Sequence, residues 1–126
     1  MSKTEALREL HAELDAEVWA QDDKWGQQDH PLIGSGVREL QREQYAQAAE
    51  DWKLRNDVRV QADWLGWDGI LLEEVYEALE CDTVESACEE LVQVIAVAAQ
   101  MILNLRARDS LDKLDDPVQV SLDRRG

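Results

Sequence analysis

Residues 91–105 read LVQVIAVAAQMILNL, and this stretch decides the predicted fold. Apolar residues cover nearly every side of the helix that it would form, and such a helix is normally buried all round. Its few polar residues follow one stripe that begins at Glu90 and continues through Gln93, Gln100 and Asn104. A chain of four modest helices cannot easily bury such a helix alone. The sequence therefore predicts a homodimer or tetramer in which this fourth helix lies buried at the centre.

Helical periodicity dominates the rest of the chain, and signals for strands are few. We expect helices over residues 4–21, 37–56, 69–81 and 84–108. The side chains expected to cap their first turns are Ser2, Ser35, Asp68 and Asp82. The prediction is an all-α, four-helix bundle that forms a single domain over residues 1–108 and is completed by dimerisation. A flexible, charged C-terminal tail is expected over residues 109–126.

The charge balance excludes some classes of function. The chain has 126 residues, of which 28 are acidic and 13 basic, for a net charge of −15. A surface this negative repels phosphate backbones, so we expect no binding to nucleic acid. The two cysteines, Cys81 and Cys88, do not suggest a disulfide framework. The first residues lack the apolar segment of a signal peptide, and the apolar stretch at 91–105 is too short to span a bilayer. We therefore expect a cytoplasmic protein without a membrane partner.

Acidic side chains are grouped on the two helices that follow Gly66. Glu74 and Glu77 lie three residues apart, which places them about 60° apart on one face of a helix with about 100° per residue. Glu90 and Gln93 repeat this spacing on the next helix. Because the connection between the two helices is short, they should be antiparallel neighbours. The two pairs are therefore predicted to face each other and converge.

Converging carboxylates repel one another strongly next to an apolar helix. Between Val60 and Leu105 there are ten acidic residues and no Lys or Arg. The carboxylates must therefore take up protons, meet basic residues from elsewhere, or bind a cation. Oxygen ligands suit Mg²⁺, with Mn²⁺ as an alternative. Di-iron and zinc sites are disfavoured because His11 and His30 are the only histidines and neither has the required spacing. The competing interpretation is that the glutamates form a solvated helix face.

Three ordered motifs carry a resemblance to a known family. EVYE at 74–77, followed after twelve residues by ELVQ at 90–93, is similar to the ExxE…ExxD pattern of the MazG-like, all-α nucleoside triphosphate pyrophosphohydrolase superfamily. KWGQQDHP at 24–31, WDGILLEEVYEAL at 67–79 and EELVQVIAVAAQMI at 89–102 resemble MazG-like proteins of actinobacteria and their phages. The resemblance covers most of residues 19–105.

The resemblance implies Mg²⁺-dependent hydrolysis of a nucleoside triphosphate to the monophosphate and pyrophosphate. Glu74, Glu77 and Glu90 match positions of metal ligands, and Gln93 stands where the wider superfamily has Asp. We assign Glu73 and Glu74 as catalytic residues. Glu73 would orient or deprotonate the attacking water, and the alternative is that it lies behind the ligands or on the surface.

The KWGQQDHP loop is the candidate for recognition of the nucleotide. The expected substrate-binding residues are Lys24, Trp25, Gln28, His30 and Lys53. Trp25 offers a stacking face, and Gln28 and His30 offer hydrogen bonds to the edge of a base. Lys53 would reach the phosphates. The alternatives are that Trp25 plugs the end of the bundle and that Lys53 pairs with acidic side chains on its own helix.

Two other functions stay open. Gln93 is a neutral amide and a weaker Mg²⁺ ligand than Asp, which motivates a degenerate member that binds nucleotide and metal without turnover. The second is an acidic helical module for interaction with other proteins. The favoured prediction is a pyrophosphohydrolase acting in house-cleaning of the nucleotide pool.

Overall fold

The prediction of an all-α fold is confirmed. The computed structural model describes residues 1–115, and this part of the chain contains four helices and no strand. The helices are α1 (Lys3–Trp25), α2 (Arg38–Gln61), α3 (Trp67–Leu79) and α4 (Val84–Asp115). Residues 109–115 of the predicted tail are helical instead, because α4 continues past Arg108 to Asp115. The remainder of that tail lies outside the described residues.

The predicted capping side chain is confirmed at α1, whereas other residues occupy the capping positions of the remaining helices. The Ser2 hydroxyl accepts the N–H of Glu5 at 3.1 Å and caps α1 as predicted. At α4 the capping side chain is Thr83, whose hydroxyl accepts the N–H of Ser86 at 3.1 Å, and not Asp82. The Ser35 hydroxyl accepts the N–H of Val37, so it orders the turn that precedes α2.

The third helix starts before the predicted cap. Gly66 occupies the N-cap position of α3, and Asp68 lies inside the first turn. The physical reason is a contact with another helix, because Arg59 on α2 donates to the Asp68 carboxylate at 3.0 Å. This ion pair attaches the start of α3 to α2, so the Asp68 side chain does not cap its own helix. The two residues are nine positions apart, so a capping pattern that considers only neighbouring residues does not detect it.

The third helix lies at the centre of the packing. It contacts α2 on one side and α4 on the other, whereas α1 contacts only α4. On the α2 side the rings of Tyr45 and Tyr76 stack with centroids 6.1 Å apart. On the α4 side the indole N–H of Trp67 donates to the Asn104 side-chain oxygen at 2.8 Å. These contacts set α3 and its glutamates between two neighbours.

The core of a single chain is small. Its buried apolar residues within the described part are the alanines Ala49, Ala78 and Ala87, and no large side chain is fully buried. Apolar side chains of α4 remain open to solvent, among them Leu91, Val92, Ile95 and Leu105. The expectation that residues 91–105 are too short to span a bilayer does not extend to the whole helix, because α4 could cross a membrane by its length and composition, a property that it shares with core helices of soluble proteins. In a single chain, therefore, α4 is not the buried helix that its sequence predicts.

Candidate metal centre

Three glutamates from two helices meet at one point. Glu74 and Glu77 come from successive turns of α3, and Glu90 comes from the beginning of α4. One carboxylate oxygen from each lies within 4.8 Å of the others, and all three side chains are half-buried. The structure thus brings together three of the four predicted ligands. It does so because the i, i+3 spacing on α3 presents two carboxylates toward the neighbouring α4.

Burial and mutual repulsion alter the acidity of this cluster. Partial burial and, after it, the charges of the neighbouring carboxylates together raise the pKa of Glu77 to about 7. These neighbours are Glu74, Glu73 and Glu90, and Glu73 also shares a hydrogen bond with Glu77. The pKa of Glu74 is raised as well, first by burial and then by the charges of Glu90 and Glu73. Removal of the charge by a proton is therefore favourable near neutral pH.

No basic side chain of the described residues forms a direct ion pair with the cluster. Within residues 1–115 the ion pairs involve Arg42, Arg59, Arg106 and Lys113, and none includes Glu74, Glu77 or Glu90. A bound divalent cation would relieve the same repulsion that raises these pKa values. Three carboxylate oxygens that converge within a few ångströms, together with water, form a donor set that suits Mg²⁺ or Mn²⁺. The residues present therefore fit such an ion.

A small cavity opens beside the cluster. Its volume is about 240 Å³, and its lining includes Glu77 and Glu90. Lys53 on α2 lines the same cavity, and within the described residues it pairs with neither Glu50 nor Asp51. The cavity therefore places one cationic side chain opposite the carboxylates. It is small, polar and open, and because its lining includes Glu50, Glu77, Glu80 and Glu90, phosphate groups would enter it only together with a cation.

Two further residues of this region were not singled out by the sequence. Glu80 is half-buried and lines the cavity together with Cys81. Asn56 on α2 is buried, and its amide donates to the Glu73 carboxylate at 3.0 Å. The sequence carried no signal for Asn56, because the predicted helix over 37–56 ends at this residue and an asparagine is common at a helix end.

The other predicted site residues lie apart from the carboxylates. Gln93 is exposed, one turn beyond Glu90 on α4, and does not line the cavity. Trp25, Gln28 and His30 line a separate, open pocket of about 570 Å³ at the end of α1. Within it, a His30 ring nitrogen lies 3.0 Å from the Gln28 amide oxygen.

Lys24 belongs to the same loop region. Its ammonium lies over the Trp25 ring, 4.8 Å from the centroid. The side chain of Trp25 is 57% exposed, so one face of the indole stays accessible to a planar ligand. The structure therefore keeps the predicted recognition residues together as one group but does not join that group to the carboxylate cavity within a single chain.

Comparison with known proteins identifies no relative. No protein-family model, no curated protein and no solved structure matches this chain. The MazG-like resemblance therefore stays a prediction that rests on the three sequence motifs. The fold of residues 1–115 is an all-α bundle of four helices.

Proposed function

We propose that this chain is a Mg²⁺-dependent nucleoside triphosphate pyrophosphohydrolase of the MazG-like type, which cleaves an NTP or dNTP to the monophosphate and pyrophosphate. The observation that carries the proposal is the cluster of Glu74, Glu77 and Glu90, whose carboxylate oxygens converge within 4.8 Å. An acidic cavity would repel a triphosphate unless a cation is present, so the proposal requires metal and substrate together.

Glu74, Glu77 and Glu90 would hold the metal ion. A bound Mg²⁺ would neutralise the charge of the triphosphate and fix the positions of its oxygens. Mn²⁺ would serve in its place because it accepts the same oxygen ligands. Gln93, exposed one turn from Glu90, is the fourth proposed ligand and would donate through its amide oxygen.

The remaining residues act on water and phosphate. Glu73, beside Glu77, orients and deprotonates the water that attacks the α-phosphorus, and Glu74 is the second catalytic carboxylate. The new bond joins the water oxygen to phosphorus, and the bond to the bridging oxygen of the leaving pyrophosphate breaks. Lys53 lines the cavity and contacts the phosphates.

The loop at the end of α1 supplies recognition of the base in this proposal. Trp25 stacks on the base, Gln28 and His30 form hydrogen bonds to its edge, and Lys24 adds positive charge. Because the pocket of this loop is separate from the carboxylate cavity, its contribution is to the base and not to the phosphates.

We also infer that a second copy covers α4. The exposed side chains Leu91 and Ile95 lie on the same face of that helix, and the single chain has a core of alanines. A homodimer, or a tetramer made of two dimers, would bury this face. Cytoplasmic location is proposed with it, since both cysteines are free thiols.

Turnover of a nucleotide panel tests the proposed reaction. We expect the full chain to release pyrophosphate from at least one canonical or modified NTP or dNTP with Mg²⁺ or Mn²⁺, and to release none with EDTA. Glu74→Gln or Glu77→Gln should lower kcat by at least about 100-fold, because each removes a charged ligand. The matched control is Glu89→Gln, which removes one charge from an exposed side chain beside Glu90 and should leave kcat within about twofold.

A second candidate function is binding of nucleotide and metal without turnover. Gln93 is neutral and exposed, so the cluster offers three charged ligands and lacks the fourth acid of the superfamily pattern. This difference favours binding without turnover. Mg²⁺-dependent nucleotide binding without pyrophosphate release would establish this function in place of hydrolysis. If Gln93→Asp then produced turnover, loss of the acid would explain the inactivity. If neither Mg²⁺ nor nucleotide changed Tm, both functions would be rejected, and the acidic helical module for interaction with other proteins would be the remaining hypothesis.

A further inference from the structure

Asn56 is the buried polar residue of the described core. It lies on α2, and only 8% of its surface is exposed. A buried amide is unfavourable unless hydrogen bonds replace those it made with water. Its side-chain oxygen has no partner within the described residues, so only the NH₂ group is satisfied. A residue that keeps an unpaired buried acceptor does not serve stability alone.

The NH₂ group of Asn56 makes two contacts with α3. It donates to the main-chain oxygen of Gly69 and to the Glu73 carboxylate, each at 3.0 Å. Gly69 permits this approach, because a Cβ at that position would lie 2.1 Å from the Asn56 side-chain oxygen. The glycine and the asparagine therefore form a matched pair that brings an amide donor to one side of Glu73.

The carboxylate that Asn56 holds lies beside the metal cluster but outside it. Glu73 lies close enough to Glu77 for its charge to raise the pKa of Glu77, yet it is not one of the three converging ligands. A glutamate side chain on a helix has three rotatable torsions and would otherwise extend into solvent to escape neighbouring negative charge. A neutral donor fixes one oxygen without cancelling the charge, and this leaves the other oxygen for a water or a ligand.

We propose that Asn56 is a positioning residue that holds the Glu73 carboxylate beside Glu74 and Glu77 so that Glu73 acts on the water and the charge at this centre. The action of Glu73 on a substrate water rests on the proposed hydrolase function. The positioning itself does not, because it also affects the binding of a divalent cation in the absence of nucleotide.

Asn56→Leu tests this role without opening a cavity. Leucine has nearly the shape of asparagine and lacks both polar atoms, and Gly69 keeps the space that the side chain needs. The main-chain oxygen of Gly69 still accepts the helical N–H four residues later. We expect Tm to stay the same or to rise, since the unpaired oxygen is removed. This result separates the positioning role from a merely structural one.

The experiment is a double-mutant cycle of Asn56→Leu and Glu73→Gln on the full chain. Mn²⁺ affinity is measured by calorimetry without nucleotide, and kcat and KM are measured where turnover is present. Asn56→Leu should weaken Mn²⁺ binding by roughly threefold or more, and should lower kcat by about 10- to 100-fold with little change in KM. In the Glu73→Gln background, Asn56→Leu should have no further effect, because the charge that Asn56 positions is already absent.

The outcomes distinguish the two proposals. Coupling in Mn²⁺ affinity without any turnover supports the positioning role and rejects the hydrolase. Turnover with effects of Asn56→Leu and Glu73→Gln that multiply independently rejects the positioning role and keeps the hydrolase. Equal Mn²⁺ affinities across the cycle also reject positioning. If Asn56→Leu does not fold, the same cycle is performed with Asn56→Ala, which also removes the amide donor and for which the same coupling is expected.

Discussion

Glu77 is the residue whose charge depends most on its surroundings. Its pKa is raised from the ordinary value of 4.5 to about 7, chiefly by burial and then by the carboxylates around it. A raised pKa means that the folded state binds the proton more tightly than the unfolded chain does. The contribution of Glu77 to stability is therefore fully present below about pH 4.5 and is lost as the pH rises through about 7.

This shift predicts how the metal-free protein responds to pH. Between pH 5 and pH 8, in EDTA, the free energy of unfolding should fall, and Glu77→Gln should make this fall smaller because its amide does not titrate. Urea denaturation at a series of pH values measures the slope. Glu89→Gln is the control and should keep the slope of the parent chain. An identical slope in the parent and Glu77→Gln proteins would contradict the raised pKa of Glu77.

Saturating Mg²⁺ should restore stability above pH 7, since the ion replaces the proton.

On the scale of an element, α3 depends on a glycine in its first turns. Alanine normally favours a helix over glycine by about 1 kcal/mol. At Gly69 the added methyl group would lie 2.1 Å from the Asn56 oxygen and 3.1 Å from the Arg59 guanidinium. The conflict with a buried side chain outweighs the helix propensity, so the substitution should separate the end of α2 from the start of α3.

Gly69→Ala is therefore expected to destabilise the protein by about 1–3 kcal/mol, the usual magnitude for overpacking. Thermal or urea denaturation measures this loss. The control is Gly34→Ala, where nothing lies within 4 Å of the added methyl group and where stability should be unchanged. A rise in Tm for Gly69→Ala would mean that α2 and α3 are not packed as described.

The elements also show what could be predicted from the sequence. The four helices follow from apolar periodicity, and the meeting of Glu74, Glu77 and Glu90 follows from helical spacing and a short connection. Both signals are local. The start of α3 could not be predicted, because the Arg59–Asp68 ion pair belongs to the contact between α2 and α3. The Asn56–Glu73 contact could not be predicted for the same reason, since it joins residues seventeen positions apart that belong to no recurring motif.

The place of the recognition loop was beyond prediction for a different reason. Gln28 and His30 are exposed in the loop that the sequence predicts, whereas Trp25 is exposed as the last residue of α1. Their distance from the carboxylates depends instead on how α1 packs, and α1 contacts only α4. No side chain of α1 is buried in that contact, so no apolar pattern in the sequence indicates how α1 packs.

For the whole molecule, the exposed face of α4 predicts association. Ile95 is 54% exposed in the single chain, next to Leu91 on the same face. Size-exclusion chromatography with light scattering should give at least a dimer for the parent chain and a smaller species for Ile95→Glu, because a buried charge without a partner is unfavourable. Leu111→Glu is the control, since Leu111 points away from that face and association should persist. A monomeric parent chain would contradict the inference.

The attachment of α1 has a consequence for motion. This helix of 23 residues contains no buried side chain. Its Glu13 forms an ion pair with Arg106 on α4. Few contacts must break for it to open, so its backbone amides should exchange with deuterium sooner than those of α3, which has neighbours on both sides. If association covers α1 together with α4, exchange in α1 should slow as protein concentration rises. The rate of exchange in this one helix would then report how much of the protein is assembled.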